Sequence, residues 1–314
     1  MKLPNIKPWI APELDLRRNG LPNIFYFETV LACNLACPEC VIGVDAVQRT
    51  KKIMKLHEFE IICNKIKKNA DMIYLHKWGE PLMNKQISQF VKIASDFSHT
   101  HISTNGIFLD EKKIEEFIEF GLGTLLISVD AINQETYEKY RIGGNINVVL
   151  KNLKQSSILV NKYKSKLKII PQFIVFEHNE HQMKDFQKFC EDINLKSVFK
   201  APYIRYGDKV KTSNNSNYQW KHYQTEEEHF NAMSKCNKLT TTMTIDSHGE
   251  ILLCPQDYNN EFNIGNILDP NSTLKSIWND SKYVNLREQT QNKRPLDLCK
   301  NRCMFFPASY KKTT

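Results

Sequence analysis

Between residues 24 and 204 short apolar, β-rich runs alternate with longer amphipathic runs. The predicted strands are 24–29, 72–75, 100–104, 124–129, 167–176 and 197–203, and the predicted helices fall near 55–69, 85–97, 111–120, 145–163 and 180–193. Asp110 and Asn133 stand where N-caps belong, and Gly121 stands where a helix should stop. Six strands separated by helices describe an α/β fold with a parallel sheet. Right-handed crossovers curl such a sheet progressively, so the expected architecture is a partial (β/α)6 barrel. Ligands then belong at the C-terminal strand ends, by analogy with closed barrels.

The alternation stops after residue 206. Asn, Ser, Lys and Glu dominate 207–235, which reads as a linker between a first domain over 1–206, N-terminal extension included, and a second over 236–314. In the second domain, 241–246 and 250–255 look like a hairpin around Ser247-His248-Gly249, and 272–289 reads as one helix. The domain is therefore expected to be small and α+β.

Composition adds few constraints. The 314 residues are 41% hydrophobic and 25% charged, ordinary for a globular chain. No apolar run is long enough to span a bilayer, and the first residues, with Pro4, Pro8 and Pro12, carry no apolar signal core. A cytoplasmic location with no membrane partner is the expectation. The net charge of +8 is spread along helical faces such as 51–68 and 151–168, so nucleic acid is not an expected partner. The nine cysteines change the picture more. Cys33, Cys37 and Cys40 cluster, Cys236, Cys254, Cys299 and Cys303 form a second group, and Cys63 and Cys190 sit among apolar residues as core side chains do. Two groups suggest two metal sites.

Cys33, Cys37 and Cys40 form CxxxCxxC directly after the first strand. Three thiolates there can hold three irons of a 4Fe–4S cube and leave the fourth iron open. A structural zinc ion would use the same thiolates but needs a fourth ligand, and the loop contains no His. Further motifs follow at strand ends: Trp78-Gly79-Glu80-Pro81 after the second, Ser103-Thr104-Asn105-Gly106 at the third, and Ser128-Val129-Asp130 at the fourth. Arg141 lies shortly beyond, in Tyr140-Arg141-Ile142-Gly143-Gly144. Each alone could be an ordinary turn or cap.

Taken together and in order, these segments resemble the radical S-adenosylmethionine (SAM) superfamily over roughly residues 20–205. The resemblance implies a SAM-binding 4Fe–4S cluster on Cys33, Cys37 and Cys40 and reductive cleavage of SAM to a 5′-deoxyadenosyl radical. It also implies an external reductant such as flavodoxin or ferredoxin. Gly79, Glu80 and Pro81 would hold the methionyl amine, Ser103 and Asn105 the ribose side, and Ser128 and Asp130 further polar contacts to SAM. Arg141 would meet the carboxylate with its planar fork. One departure is Glu39, where the family usually has an aromatic residue near adenine.

The C-x12-G-x4-C spacing of Cys236, Gly249 and Cys254 resembles the opening of the family's SPASM domain. With only four cysteines the region is similar to the reduced "twitch" form that carries one auxiliary 4Fe–4S cluster, as in the aminocyclitol dehydrogenases of this family. A four-cysteine zinc knot would use the same residues.

A fully ligated auxiliary cluster suits electron acceptance. The implied reaction is therefore oxidation of an alcohol on a small molecule, a sugar or cyclitol. Peptide maturation, by thioether formation or epimerisation, is the alternative; the 23 residues before the first strand are short for a leader-binding domain. Molybdenum-cofactor cyclases end in Gly-Gly, whereas this sequence ends Lys311-Lys312-Thr313-Thr314. A non-catalytic metal or electron carrier is the reading from another class. The proton acceptor stays open among His76, Lys77, Glu177, Lys200, Tyr203, Arg205 and Asp257.

Overall fold

The computed structural model describes residues 20–206, 209–219, 236, 238–292 and 296–302. The first four strands are β1 (Ile24–Phe27), β2 (Met72–Tyr74), β3 (His99–Thr104) and β4 (Thr124–Ser128). With β5 (Lys168–Ile174) and β6 (Val198–Lys200) they pair in chain order, all parallel. The helices between them are α1 (Leu56–Ile66), α2 (Ile87–Ser95), α3 (Glu111–Glu119), α4 (Gln134–Glu138), α5 (Ile146–Lys162) and α6 (Met183–Asp192). This is the expected α/β array, with an open rather than closed sheet.

Local chemistry sets the boundaries. Asp110 accepts the Lys113 N–H at 2.7 Å and Asn133 accepts the Thr136 N–H at 3.0 Å, each satisfying an orphan donor of a first helical turn. Gly121 ends α3 at φ +77°, a conformation open to glycine. Helix faces close over the sheet through Phe27, Phe59 and Phe90, the last two stacked 4.2 Å apart.

The second cysteine region begins by continuing the barrel sheet. After α7 (Lys238–Thr241), strand β7 (Thr242–Ile245) pairs in parallel with β1, from Ile24↔Thr242 to Phe27↔Ile245. Strand β8 (Ile251–Leu252) returns antiparallel beside it. The hairpin therefore extends the barrel sheet past β1. All four β7 residues are buried, as in a parallel strand covered on both faces. At the turn Gly249 has φ +82°, and Asp246 Oδ1 accepts the N–H groups of His248 and Glu250, both at 2.8 Å.

The single helix expected over 272–289 is two, α8 (Leu274–Trp278) and α9 (Ser281–Gln291). Asp280 leaves helical geometry (ψ 136°) and caps the second with its carboxylate on the Lys282 N–H. A short α10 (Asp297–Arg302) follows. Most of the expected linker, 207–208 and 220–235, lies outside the described residues, as do residues 1–19 and Cys303.

Polar contacts join the two regions. The buried carboxylate of Glu28, just past β1, takes both arms of Arg49 at 2.9 and 2.6 Å, and Arg49 also reaches Asp246 at 2.8 Å. Lys65 of α1 donates to the carbonyls of Ile267 and Asp269 at 2.8 and 2.7 Å.

Candidate active site

The cysteine loop after β1 is held by close backbone packing. A Cβ on Gly79 would stand 2.3 Å from the Val30 carbonyl oxygen, and one on Gly43 would stand 2.2 Å from that of Cys37. Gly79 also has φ +94°, and the following Glu80 N–H donates to the Ala32 carbonyl at 2.8 Å. The segment after β2 thus lies directly against the loop, which is why its glycine is required. Cys33, Cys37 and Cys40 all line one cavity of about 250 Å3 at the C-terminal strand ends. Burial pushes the Cys33 thiol up to about 12 and raises that of Cys37.

The predicted SAM-contact residues divide by geometry. Gly79, Glu80, Ser103, Asn105, Ser128 and Arg141 line the cavity; Pro81 and Asp130 stand behind its wall. Glu80 is buried, and its carboxylate accepts from the Leu82 N–H (3.0 Å), Thr104 Oγ1 (2.6 Å) and the Asn105 N–H (2.8 Å). Burial raises its pKa, and these bonds oppose the rise. Asn105 donates to Asn34 Oδ1 at 2.8 Å, beside Cys33. Asp130, at φ +62°, accepts from Arg141 Nε at 2.6 Å and from the Ile174 N–H at 2.6 Å. The Arg141 fork therefore meets an internal carboxylate, while its Nη1 lies 3.7 Å from Cys37 Sγ.

The opposite wall is cationic and aromatic. Lys77 Nζ sits 3.6 Å over the Trp78 ring, and Arg205 stacks at 5.5 Å from Trp78 and 5.0 Å from Tyr203. Arg205 Nη2 donates to Gln256 Oε1 at 2.8 Å, tying this wall to the residues after β8. Glu39 explains its departure from the family pattern: its carboxylate accepts the N–H groups of Arg205 and Tyr206, fastening the chain after β6 to the cysteine loop. Sequence reasoning missed that tether because its partners are 166 and 167 residues away.

Of the seven proton-acceptor candidates, His76, Lys77, Lys200, Tyr203 and Arg205 line the cavity. Glu177 pairs with Lys211 near the surface at 3.8 Å. Asp257 is buried and accepts the N–H groups of Leu253 and Glu261 at 3.2 and 2.8 Å. His76 Nδ1 accepts the Ser103 N–H at 3.0 Å, and burial lowers its pKa to about 4.

In the second group, Cys236 and Cys254 are half-buried and Cys299 is buried. Cys254 Sγ accepts the Gln256 N–H at 3.4 Å. Thiolates at Cys236 and Cys299 would act on Cys254 electrostatically, so the three share one locality. Burial raises all three thiols. Among the described residues no three Cys, His, Asp or Glu side chains close on a point as the ligands of one ion would. A cube instead offers irons at separated corners to separate thiolates. Both groups fit iron–sulfur ligation in donor type, and the glycine-tight packing of the first loop leaves its three sulfurs facing a common space.

The fold and cavity define an α/β protein with three thiols gathered in one site at the strand ends. The Radical SAM superfamily model matches residues 27–170, and an iron–sulfur cluster-binding domain model, SPASM, matches residues 236–304. A radical SAM domain and a SPASM iron–sulfur domain are thus both found in this chain. These domains imply a 4Fe–4S cluster with SAM and auxiliary iron–sulfur ligation. In sequence the chain is similar to the GTP 3′,8-cyclase of Lactiplantibacillus plantarum, 28% identical over 57% of this chain and 54% of that one. The probable GTP 3′,8-cyclase of Methanocaldococcus jannaschii is 27% identical over 51% and 52%. The chain spans about half the length of the curated relatives it matches. Its fold is similar to BtrN solved with AdoMet and 2-DOIA (20% identity, TM-score 0.56, 91% of this chain and 94% of that one). It is also similar to SuiB of Streptococcus suis bound to S-adenosylmethionine (16%, TM-score 0.66, 85% and 68%). Among the described residues no helix is long and apolar enough to cross a membrane.

Proposed function

We propose that this enzyme oxidises an alcohol carbon of a sugar- or cyclitol-like small molecule. Cys33, Cys37 and Cys40 hold the SAM-binding cluster in this reading, and Cys236, Cys254, Cys299 and Cys303 hold an auxiliary 4Fe–4S cluster. The observation that carries it is the shared wall. Lys77 and Arg205 line the cavity floored by the first thiols, and the same wall reaches Gln256, two residues from Cys254. An electron leaving a substrate in that cavity has a short route to the second cysteine group.

When bound, the two clusters and SAM supply hydrogen-atom removal and one-electron acceptance. The chain's own residues do the rest. Glu80, its carboxylate held by three donors, keeps the Gly79 backbone pressed to the cysteine loop. Ser103, Asn105 and Ser128 line the cavity and would meet SAM there, and Asp130 holds Arg141 beside Cys37. The domains divide as 1–206, 207–235 and 236–314, the location is cytoplasmic, and a flavodoxin or ferredoxin provides electrons.

Similarity in full-length shape to BtrN, whose structure contains 2-DOIA, supports the small-molecule reading. Peptide maturation is the second reading, supported by the higher fold score of SuiB, which was also solved with its precursor peptide SuiA. The test is anaerobic reconstitution followed by incubation with dithionite, SAM and carbon-deuterated cyclitols or sugars. Deuterium in deoxyadenosine together with a new ketone supports oxidation. Deuterium transfer from a peptide only, or a redox-neutral product, overturns it.

A further inference from the structure

Resting on the small-molecule oxidation reading, we propose that the substrate is anionic: a phosphate or carboxylate group on the sugar or cyclitol is held by Lys77, Lys200 and Arg205.

All three side chains line the cavity floored by Cys33, Cys37 and Cys40. Two of them converge on one indole. Lys77 Nζ lies 3.6 Å from the centre of the Trp78 ring, and the Arg205 guanidinium carbon lies 5.5 Å from it. Like charges brought to one ring repel, and an anion between them turns that repulsion into attraction. Lys200 reaches the same cavity from the end of β6, where it is exposed.

The acids around the cavity do not neutralise the lysines. Glu28 takes both arms of Arg49, and Asp130 pairs with Arg141. Glu80 accepts from Leu82, Thr104 and Asn105, and Glu39 accepts the backbone N–H groups of Arg205 and Tyr206. Among the described residues no carboxylate forms an ion pair with Lys77 or Lys200. Lys77 is half-buried, and a charge withdrawn from water is costly without an opposite charge beside it. An anionic ligand entering the cavity brings one.

Arg205 is positioned in advance. Its guanidinium also lies 5.0 Å from the Tyr203 ring and 5.9 Å from that of Tyr258. Its Nη2 donates to Gln256 Oε1 at 2.8 Å, and Glu39 fixes its backbone. A planar fork held in this way pairs with two oxygens of a phosphate or carboxylate at little ordering cost. The lysines add point charges that follow the group without demanding one geometry. The same field repels an ammonium, so an amino sugar or aminocyclitol with a free amine is a poor fit.

The test reads binding rather than turnover. The reconstituted full chain with SAM is titrated at constant ionic strength with glucose, glucosamine, glucuronate and glucose 6-phosphate, which share one ring and differ in charge. At least one anionic probe should bind about tenfold or more tighter than glucose, the weight of one charge-assisted hydrogen bond, and glucosamine should bind more weakly. Whichever anionic probe gains more decides between phosphate and carboxylate. Lys77→Met and Arg205→Met should each abolish the gain, and Lys200→Met should reduce it. Equal affinity for the four probes, no binding by any of them, or a gain kept in both Lys77→Met and Arg205→Met overturns the proposal. If those two variants instead bind SAM itself about tenfold more weakly, the cations serve the methionyl carboxylate and the assignment to substrate falls. A charge preference that survives beside a redox-neutral product supports the anion site and sinks the oxidation reading alone.

Discussion

Asp130 accepts a hydrogen bond from Arg141 Nε at 2.6 Å, so the side chain expected to grip a carboxylate from SAM already grips one within the protein. Asp130 is buried, Arg141 keeps only 13% of its side chain exposed, and the Asp130 backbone is left-handed at φ +62°. Removing one partner leaves the other charge buried and uncompensated. Asp130→Ala should lower stability by about 3–5 kcal/mol in the cluster-free chain, read as a shift in the denaturant midpoint. Pairing it with Arg141→Met should recover a large part of the loss. A loss in the double variant equal to the sum of the two single losses would show that the pair is not coupled.

Gly79→Ala tests the packing beneath the cysteine loop. Its Cβ would sit 2.3 Å from the Val30 oxygen and 2.7 Å from the Ala32 oxygen, at φ +94°. Backbone must move, and the loop with it. The variant should lose iron from the first site, about four per chain, and form no deoxyadenosine. Gly20→Ala, with no atom within 4 Å of the added Cβ, is the control for left-handed strain alone.

Cysteine substitutions separate the two sites. Replacing Cys33, Cys37 and Cys40 with Ala should abolish deoxyadenosine formation and leave about four irons per chain. Replacing Cys236, Cys254, Cys299 and Cys303 should stop ketone formation while uncoupled SAM cleavage continues. Unchanged iron in the second variant would remove the auxiliary cluster from the scheme.

Stability should respond to acid through buried histidines. Burial holds His76 down to about 4, below its ordinary value of 6.5, and holds His101 well below the same value. The unfolded chain binds the extra proton first, so the His76 contribution is complete above about pH 6.5 and is lost as pH falls toward 4. The stability of the cluster-free chain should fall across that window by up to about 1.4 kcal/mol per pH unit from this residue. His76→Gln should show a shallower dependence between pH 6.5 and 5. An identical slope would place the titration elsewhere.

The strand order was legible because each strand is a short apolar run between amphipathic helices, and parallel strands joined by right-handed crossovers have few ways to lie together. Caps such as Asp110 and Asn133 were readable for the same local reason. The break at Asp280 was not, since apolar spacing runs through it and only the turn geometry interrupts the helix.

By itself the sequence determined which chemistry was available: two cysteine groups, a glycine-bearing segment after β2 and polar residues at strand ends. Those depend on residue type and spacing within a few positions. The tertiary structure decided which of these groups meet. It joined β7 to β1, gave the Arg141 fork to Asp130, turned Glu39 into a tether for Arg205, and laid Lys77 over the Trp78 ring in the cavity wall. Such pairings span tens to hundreds of residues, and burial makes them strong by removing the water that would otherwise compete for each charge and hydrogen bond.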